Sequence, residues 1–432
     1  MSKREGDERR VQEERMDPVR LAIVGCGGMG RRHLHGLAEL TRVGFANVAL
    51  AAVCDLNTRN AEDLADEAEA LLGKRPPVYS DLAAMAKQEE GLEAVDVTTD
   101  SGSHHRVATA TLELGLHTLL EKPMALTLRG CNMILAAAAR AGRVLSIAEN
   151  YRRDPINRLA KALLSDGAIG QPRLMLETVV GSGNRIVITP WRHYKMSGTI
   201  TLDAGVHHAD ILQYYMGEPT LAFGRGELHE RYRYRRETAG PGGFYEKWAD
   251  QMPERIEATG EDALYGTVYF ESHGLAQWVF DSAGHGQPLN QRLIFGSTGS
   301  LACPGDRNGR PIKLYQDGKA EVTGDDLLEY APSYRLDPVA AALFGGERVC
   351  TYSFPFHETD RKILGWEYHE FGRCVREGAE PEVGGLLGRR AVALVNAVFE
   401  SGRLGRPVTI AEVESEEVDA YQREIDEYLG LV

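Results

Sequence analysis

Residues 19–40, VRLAIVGCGGMGRRHLHGLAEL, join an apolar strand-like run to a helix-forming run through a glycine loop. Gly25, Gly27 and Gly30 stand there in G-x-G-x-x-G spacing. In that setting the first glycine permits a tight turn and the second lets a pyrophosphate approach the backbone. The third lets helix and strand pack closely, with the phosphates on the helix N-terminus. Gly28 and Met29 complete the loop and are assigned to cofactor binding with it. Glycine-rich turns are common, so the assignment depends on what surrounds the loop.

The surroundings alternate. VALAAVCD reads as a second strand and NAEDLADEAEALLG as a helix; PPVYSDLAAMAK gives a short strand and helix, and AVDVTTD a strand. HRVATATLELG (helix), HTLLEK (strand), LRGCNMILAAAARAG (helix) and VLSIAEN (strand) continue the series. This alternation implies βαβ units in a doubly wound parallel sheet of the Rossmann kind, an α/β domain over residues 19–150. After about Asn150 the pattern changes. ALYGTVYFES, LAQWVFDSAG and QRLIFGSTGSLAC alternate apolar and polar residues between turn glycines. Residues 151–432 therefore form an α+β domain with a large, mostly antiparallel sheet. Residues 225–260, rich in Arg, Tyr and Glu, read as a long excursion, and residues 1–18 as a charged tail.

Asp55 ends the second strand, where a carboxylate can accept hydrogen bonds from the adenosine ribose hydroxyls. The alternative is that it only caps the next helix. A carboxylate there repels a 2′-phosphate, so NAD is favoured over NADP, with Arg59 able to compensate in part.

Composition narrows the partners. A formal charge of −14 over 432 residues argues against nucleic acid or an anionic membrane. No long uncharged apolar stretch exists for a transmembrane helix. The six cysteines are scattered, without the spacing of a zinc site, so no metal is expected and a reducing, cytoplasmic setting is.

Lys122 ends the fifth strand, and ligands of such sheets bind outside the carboxyl ends of the strands. Pro123 restricts Lys122 to an extended conformation. A lysine held there can stabilise an alkoxide or carbonyl oxygen. The second cluster is GTITLDAGVHHADILQYYMG. If a helix starts near Gly205, Asp203 caps it and reaches His207 one turn on, which makes His207 a general base whose pKa the carboxylate raises above the ordinary histidine value. The competing reading is a helix-capping Asp beside two incidental histidines, and His208 points elsewhere.

Together the Gly25-x-Gly27-x-x-Gly30 loop, the Glu121-Lys122-Pro123 triplet and Asp203-x-Gly205-x-His207 resemble the Gfo/Idh/MocA family of glucose–fructose oxidoreductases, inositol dehydrogenases and rhizopine-catabolism proteins. ENYRRDP and GAIGQP support the resemblance, which covers nearly the whole chain beyond the tail. It implies Lys122, Asp203 and His207 as catalytic residues, and Glu121, Lys122, Thr99 and His104 beside the glycine loop at the cofactor. It implies reversible hydride transfer between a sugar or polyol carbon and nicotinamide, an open-faced sheet in residues 151–432 that serves substrate binding and oligomerisation, and a homodimer or homotetramer built through that sheet. Where the family often has Thr-Pro-Asn, this chain has Thr99, Asp100 and Ser101, which changes the contacts near the nicotinamide ribose.

The resemblance leaves two enzymatic readings and one that is not. The first is an NAD-dependent dehydrogenase of a sugar, inositol or sugar derivative. The second is a redox-neutral NAD-dependent glycosidase, which oxidises a sugar transiently at C3, eliminates the aglycone, adds water and returns the hydride. It needs an extra base, for which Tyr151, Tyr194 and His104 are available. A non-catalytic NAD-binding regulator has no need of Lys122, Asp203 and His207 together. Arg152, Arg153, Arg192 and His193 would favour an acidic or phosphorylated sugar, although arginines beside charged loops are commonly paired.

Overall fold

The computed structural model describes residues 17–235 and 252–432. The charged tail up to residue 16 and the middle of the excursion therefore lie outside the described residues. The chain opens with β1 (Val19–Val24), α1 (Gly28–Arg42), β2 (Val48–Cys54), α2 (Thr58–Leu72), β3 (Val78–Tyr79) and α3 (Leu82–Gln88). It continues with β4 (Ala94–Val97), α4 (His104–Glu113), β5 (His117–Glu121), α5 (Leu128–Ala141) and β6 (Leu145–Ala148). These six strands form one parallel sheet in the order β3-β2-β1-β4-β5-β6. The order reverses at β1, so the carboxyl ends of β1 and β4 flank a crevice. Strands β4 and β6 are buried throughout, as a sheet covered on both faces requires.

Next come α6 (Pro155–Ser165), β7 (Pro172–Ser182), α7 (Ile200–Met216), β8 (Pro219–Glu227), β9 (Tyr232–Tyr234) and β10 (Arg255–Glu257). β11 (Ala263–Phe270), β12 (Leu275–Gly284), β13 (Leu289–Gly296), β14 (Gly299–Cys303), β15 (Lys313–Gln316) and β16 (Val322–Thr323) follow. With β17 (Val408–Thr409) they build a nine-stranded sheet ordered β16-β15-β14-β13-β7-β12-β11-β8-β17. Only β7 and β12 pair in parallel within it. The described ends of the excursion supply β9 and β10, which form an antiparallel pair of their own.

One face of the large sheet is covered by α7 and by α10 (Gly385–Leu404), which follows α8 (Pro338–Phe344) and α9 (Phe356–Glu377). On the other face Phe223, Tyr269, Phe295 and Tyr315 are about half exposed. Helix α9 packs on α1 so closely that a Cβ at Gly36 would lie 2.7 Å from Leu364 Cβ. Sequence reading did not isolate α9, because its polar residues interrupt the apolar period. Those residues face β4 and α1, where the Tyr368 hydroxyl donates to Asp96 and Asp360 holds Arg32.

Candidate active site

The glycine loop fits a dinucleotide. Gly25 has φ +99°, and a Cβ there would strike Thr99 N at 2.6 Å. A Cβ at Gly30 would meet Gly25 O at 2.3 Å, whereas one at Gly27 would meet nothing within 4 Å. The second glycine thus opens onto a cavity of about 490 Å³ lined by Gly25, Gly27, Gly28, Met29, Asp55 and Thr99. No side chain caps α1 and no acid stands in its first turn, so its N-terminal N–H groups are available to phosphate. Asp55 does not cap the following helix; Asn57 does. The Asp55 carboxylate instead accepts from Cys26 N at 2.7 Å and Asn57 N at 2.8 Å, fixing the loop beside the cavity.

A second cavity of about 540 Å³ adjoins the first, and Met29, Thr99, Trp191 and Arg192 line both. Lys122, Asp203 and His207 line this one together. Lys122 follows directly on β5, and its peptide bond to Pro123 is cis. Its backbone N–H donates to Glu121 Oε2 at 2.9 Å, while Glu121 Oε1 meets His33 Nε2 at 3.0 Å. Both Glu121 oxygens are therefore engaged by the protein, in a buried frame that aims Lys122. His104 ties the same turn to the loop after β4: Nδ1 donates to Pro123 O at 2.8 Å, and Nε2 lies 3.2 Å from Thr99 O. Burial lowers its pKa, and a neutral ring can donate to only one of the two carbonyls.

Helix α7 carries Asp203, His207, His208 and Asp210, and all of its residues are buried except Ala204 and Tyr214. A helix buried on nearly all sides must find a partner for each ionisable group. Asp203 receives Lys122 Nζ at 3.1 Å and Arg192 Nε at 2.8 Å. His207 Nδ1 meets Glu149 Oε1 at 2.7 Å and Oε2 at 2.8 Å. His208 Nδ1 meets Glu177 at 2.6 Å, and Arg152 holds Asp210.

Two expectations are corrected here. The helix starts at Ile200, capped by Thr199, so Asp203 sits inside its first turn rather than at its cap. Asp203 also does not orient His207, because two cations claim its carboxylate. The carboxylate on His207 is Glu149, just beyond β6 in the ENYRRDP stretch, a residue with no role expected from the sequence. Its position at the carboxyl end of a Rossmann strand was the available signal.

The electrostatics follow. Burial would raise the Asp203 pKa, but Arg192 and Lys122 outweigh it and hold the carboxyl ionised. Burial, then Lys122 and Arg307, push His207 well below the ordinary histidine value, opposite to the rise expected from Asp203. Burial lifts Glu149 to about 7. Tyr151 stacks on the His207 ring at 4.0 Å and 2°.

Of the basic residues noted in the sequence, Arg152 is buried against Asp210, and Arg153 against Glu367 and Glu370. His193 accepts from Val187 N at 2.9 Å, and burial drops it to about 3. Only Arg192 of that group lines the cavity. Arg307, which sequence reading passed over, lines it as well.

Residues 19–149 match the model of an oxidoreductase family with an NAD-binding Rossmann fold, and residues 157–302 match the Gfo/Idh/MocA C-terminal domain. The chain belongs to the Gfo/Idh/MocA oxidoreductase family. It is an NAD-binding oxidoreductase. D-apiose dehydrogenase of Paraburkholderia graminis is 26% identical over 408 residues, covering 91% of this chain and 90% of that protein. Myo-inositol 2-dehydrogenase of Thermotoga maritima is 23% identical over 396 residues, covering 91% and 99%. In fold, an NAD-binding oxidoreductase from Klebsiella pneumoniae superposes with a TM-score of 0.72 at 21% identity, over 91% of this chain and 99% of that one. Levoglucosan dehydrogenase with NADH and levoglucosan gives 0.70 at 20%, over 91% and 100%. Among the described residues no helix is long and apolar enough to cross a membrane.

Proposed function

We propose that the protein oxidises a hydroxyl of a sugar, inositol or sugar derivative and passes hydride to NAD. One observation carries this reading: Lys122 and His207 line a single cavity that abuts the glycine-loop cavity across Thr99 and Trp191. NAD supplies the hydride acceptor. His207 takes the hydroxyl proton at Nε2 while the Lys122 ammonium stabilises the oxygen. Asp203, itself held by Arg192, keeps Lys122 in place. Glu149 accepts from Nδ1–H and so keeps the lone pair on Nε2. Buried Asn150 lines the same cavity, and its Oδ1 has no partner among the described residues, which suits a substrate hydroxyl. The names of the relatives, dehydrogenases of apiose and inositol, support the substrate class.

Residues 19–150 serve as the NAD domain and 151–432 as the substrate domain. The aromatic open face of the large sheet supports assembly into a homodimer or homotetramer, which light scattering tests. The buried, unpaired cysteines support a cytoplasmic setting. A screen of sugars, inositols and glycosides with NAD, following NADH absorbance and aglycone release together, tests the function. NADH accumulation with a polyol or sugar upholds the dehydrogenase. Aglycone release without net NADH would make the protein a glycosidase instead.

A further inference from the structure

Arg307 lies in the turn between β14 and β15 with a left-handed φ of +55°. A non-glycine residue in that region is strained, and such strain persists only where the surroundings over-determine it. They do so here. Arg307 N donates to buried Asp154 at 2.6 Å. Asn308 Nδ2 donates to Pro304 O at 2.7 Å, and Asn308 Oδ1 accepts from Arg310 N at 2.9 Å, closing the turn.

The side chain is held as firmly. The guanidinium carbon lies 4.8 Å from the Tyr151 ring centre and 4.9 Å from that of Phe356. Nη1 donates to Asp360 Oδ1 at 3.2 Å and Nη2 to the Tyr151 hydroxyl at 3.4 Å. Asp360 is shared, since Arg32 Nε also donates to it at 2.8 Å. These bonds leave part of the donor fork of Arg307 for the cavity, which it lines with side-chain exposure of 14%. The facing acids are already engaged. Asp203 lies between Lys122 and Arg192, Glu149 is on His207, Glu121 on His33, and Asp281 accepts from Tyr265 and Ala283.

From this arrangement we infer that the substrate carries a carboxylate, bound by the fork of Arg307 while its reacting carbinol lies at Lys122 and His207. A pinned planar guanidinium recognises a carboxylate through two parallel charge-assisted bonds, which a neutral hydroxymethyl group cannot match. Tyr151 spans the two ends of the site, with one contact to His207 and another to Arg307. The substrate class is therefore a sugar-sized hydroxy acid, an aldonate or uronate. The inference rests on the reading of the cavity as the carbinol-oxidising site.

The test separates binding from turnover. Protein loaded with NADH, which cannot oxidise the ligand, is titrated with D-glucuronate against D-glucose and with D-galactonate against D-galactose, reading thermal shift. The acid of each pair should bind at least about tenfold more tightly, the effect of one charge-assisted bidentate pair. Arg307→Met should abolish that preference, and Arg307→Lys, which keeps charge but loses the fork, should recover only part of it. If Arg307→Met does not fold, Arg307→Lys decides alone. Equal or tighter binding of the neutral members would overturn the inference, as would an acid preference that survives loss of the fork. A parallel assay with NAD follows NADH formation. Failure of every compound there would count against the dehydrogenase reading, while the binding result would still judge Arg307.

Discussion

Glu149 and His207 stand 58 residues apart in the chain, and the carboxylate meets the imidazole Nδ1 at 2.7 Å. One group follows the last strand of the Rossmann sheet and the other rides a helix of the second half. Burial weakens the imidazole as a base and raises the carboxylate pKa toward neutrality. Together they take up one proton, and the hydrogen bond between the carboxyl group and Nδ1 stabilises the ring when Nε2 carries a proton.

The pH profile follows from this pair. With Glu149 ionised, Nδ1–H points at it and Nε2 is free to accept. Once Glu149 is protonated it donates to Nδ1, and the proton moves to Nε2, which can no longer act as base. Oxidation measured as kcat/KM should therefore fall as pH drops through about 7, the value to which burial raises Glu149. Glu149→Gln removes the titrating carboxylate and leaves only the lowered His207. The acid limb should then move to lower pH, with a rate loss on the order of tenfold at neutral pH. An acid limb unmoved in Glu149→Gln would refute the pairing.

His207→Asn should lose about a hundredfold or more in kcat, the usual contribution of a general base. His208→Asn should behave differently. His208 belongs to a buried network in which Glu177 also receives Arg292 Nε at 2.7 Å. Removing it should cost about 1–3 kcal/mol of stability, read as a lower Tm, and leave the pH profile in place. A shifted profile in His208→Asn would pass the catalytic role to that residue.

Lys122→Ala should reduce turnover by about a hundredfold while NAD still binds, because Lys122 acts on the substrate oxygen. Fluorescence titration of NADH checks the binding and steady-state kinetics the rate. Near-full activity would leave Lys122 as a partner of Asp203 and nothing more.

Two alanine substitutions in the glycine loop should part company. At Gly30 the new Cβ would meet Gly25 O at 2.3 Å, a backbone atom that cannot step aside. Gly30→Ala should lower stability by about 1–3 kcal/mol, as overpacking does. At Gly27 the space is open, so Gly27→Ala should keep its Tm without cofactor yet bind NAD more weakly. Calorimetry with and without NAD distinguishes the two.

Asp55→Asn keeps an acceptor for Cys26 N and removes the charge that repels a 2′-phosphate. The preference for NAD over NADP should narrow, measured as the ratio of the two Kd values. Equal affinities in the unmutated protein would contradict the role given to Asp55.

The Rossmann half was legible in the sequence because its signals are local. Strand and helix periods repeat within a few turns, and the glycines, Asp55 and Lys122 sit where one βαβ unit ends and the next begins. Asp203 and His207 were found for the same reason, as neighbours on one helix. Their partners were not legible. Helical spacing says which residues share a face but not what packs against it, so Asp203 was given His207 when Lys122 and Arg192 hold it. Glu149, Arg307 and Asp360 come from three separated segments, joined only when α9 packs on the first half and α7 on the large sheet. The burial that results reverses the expected pKa of His207, and no property of the local sequence carries that information. The sequence by itself determined the cofactor loop and the placing of Lys122, Asp203 and His207 on their elements, since each depends on short-range backbone geometry. Tertiary packing alone decided which charge faces which, because desolvation and pairing depend on neighbours far apart in the chain.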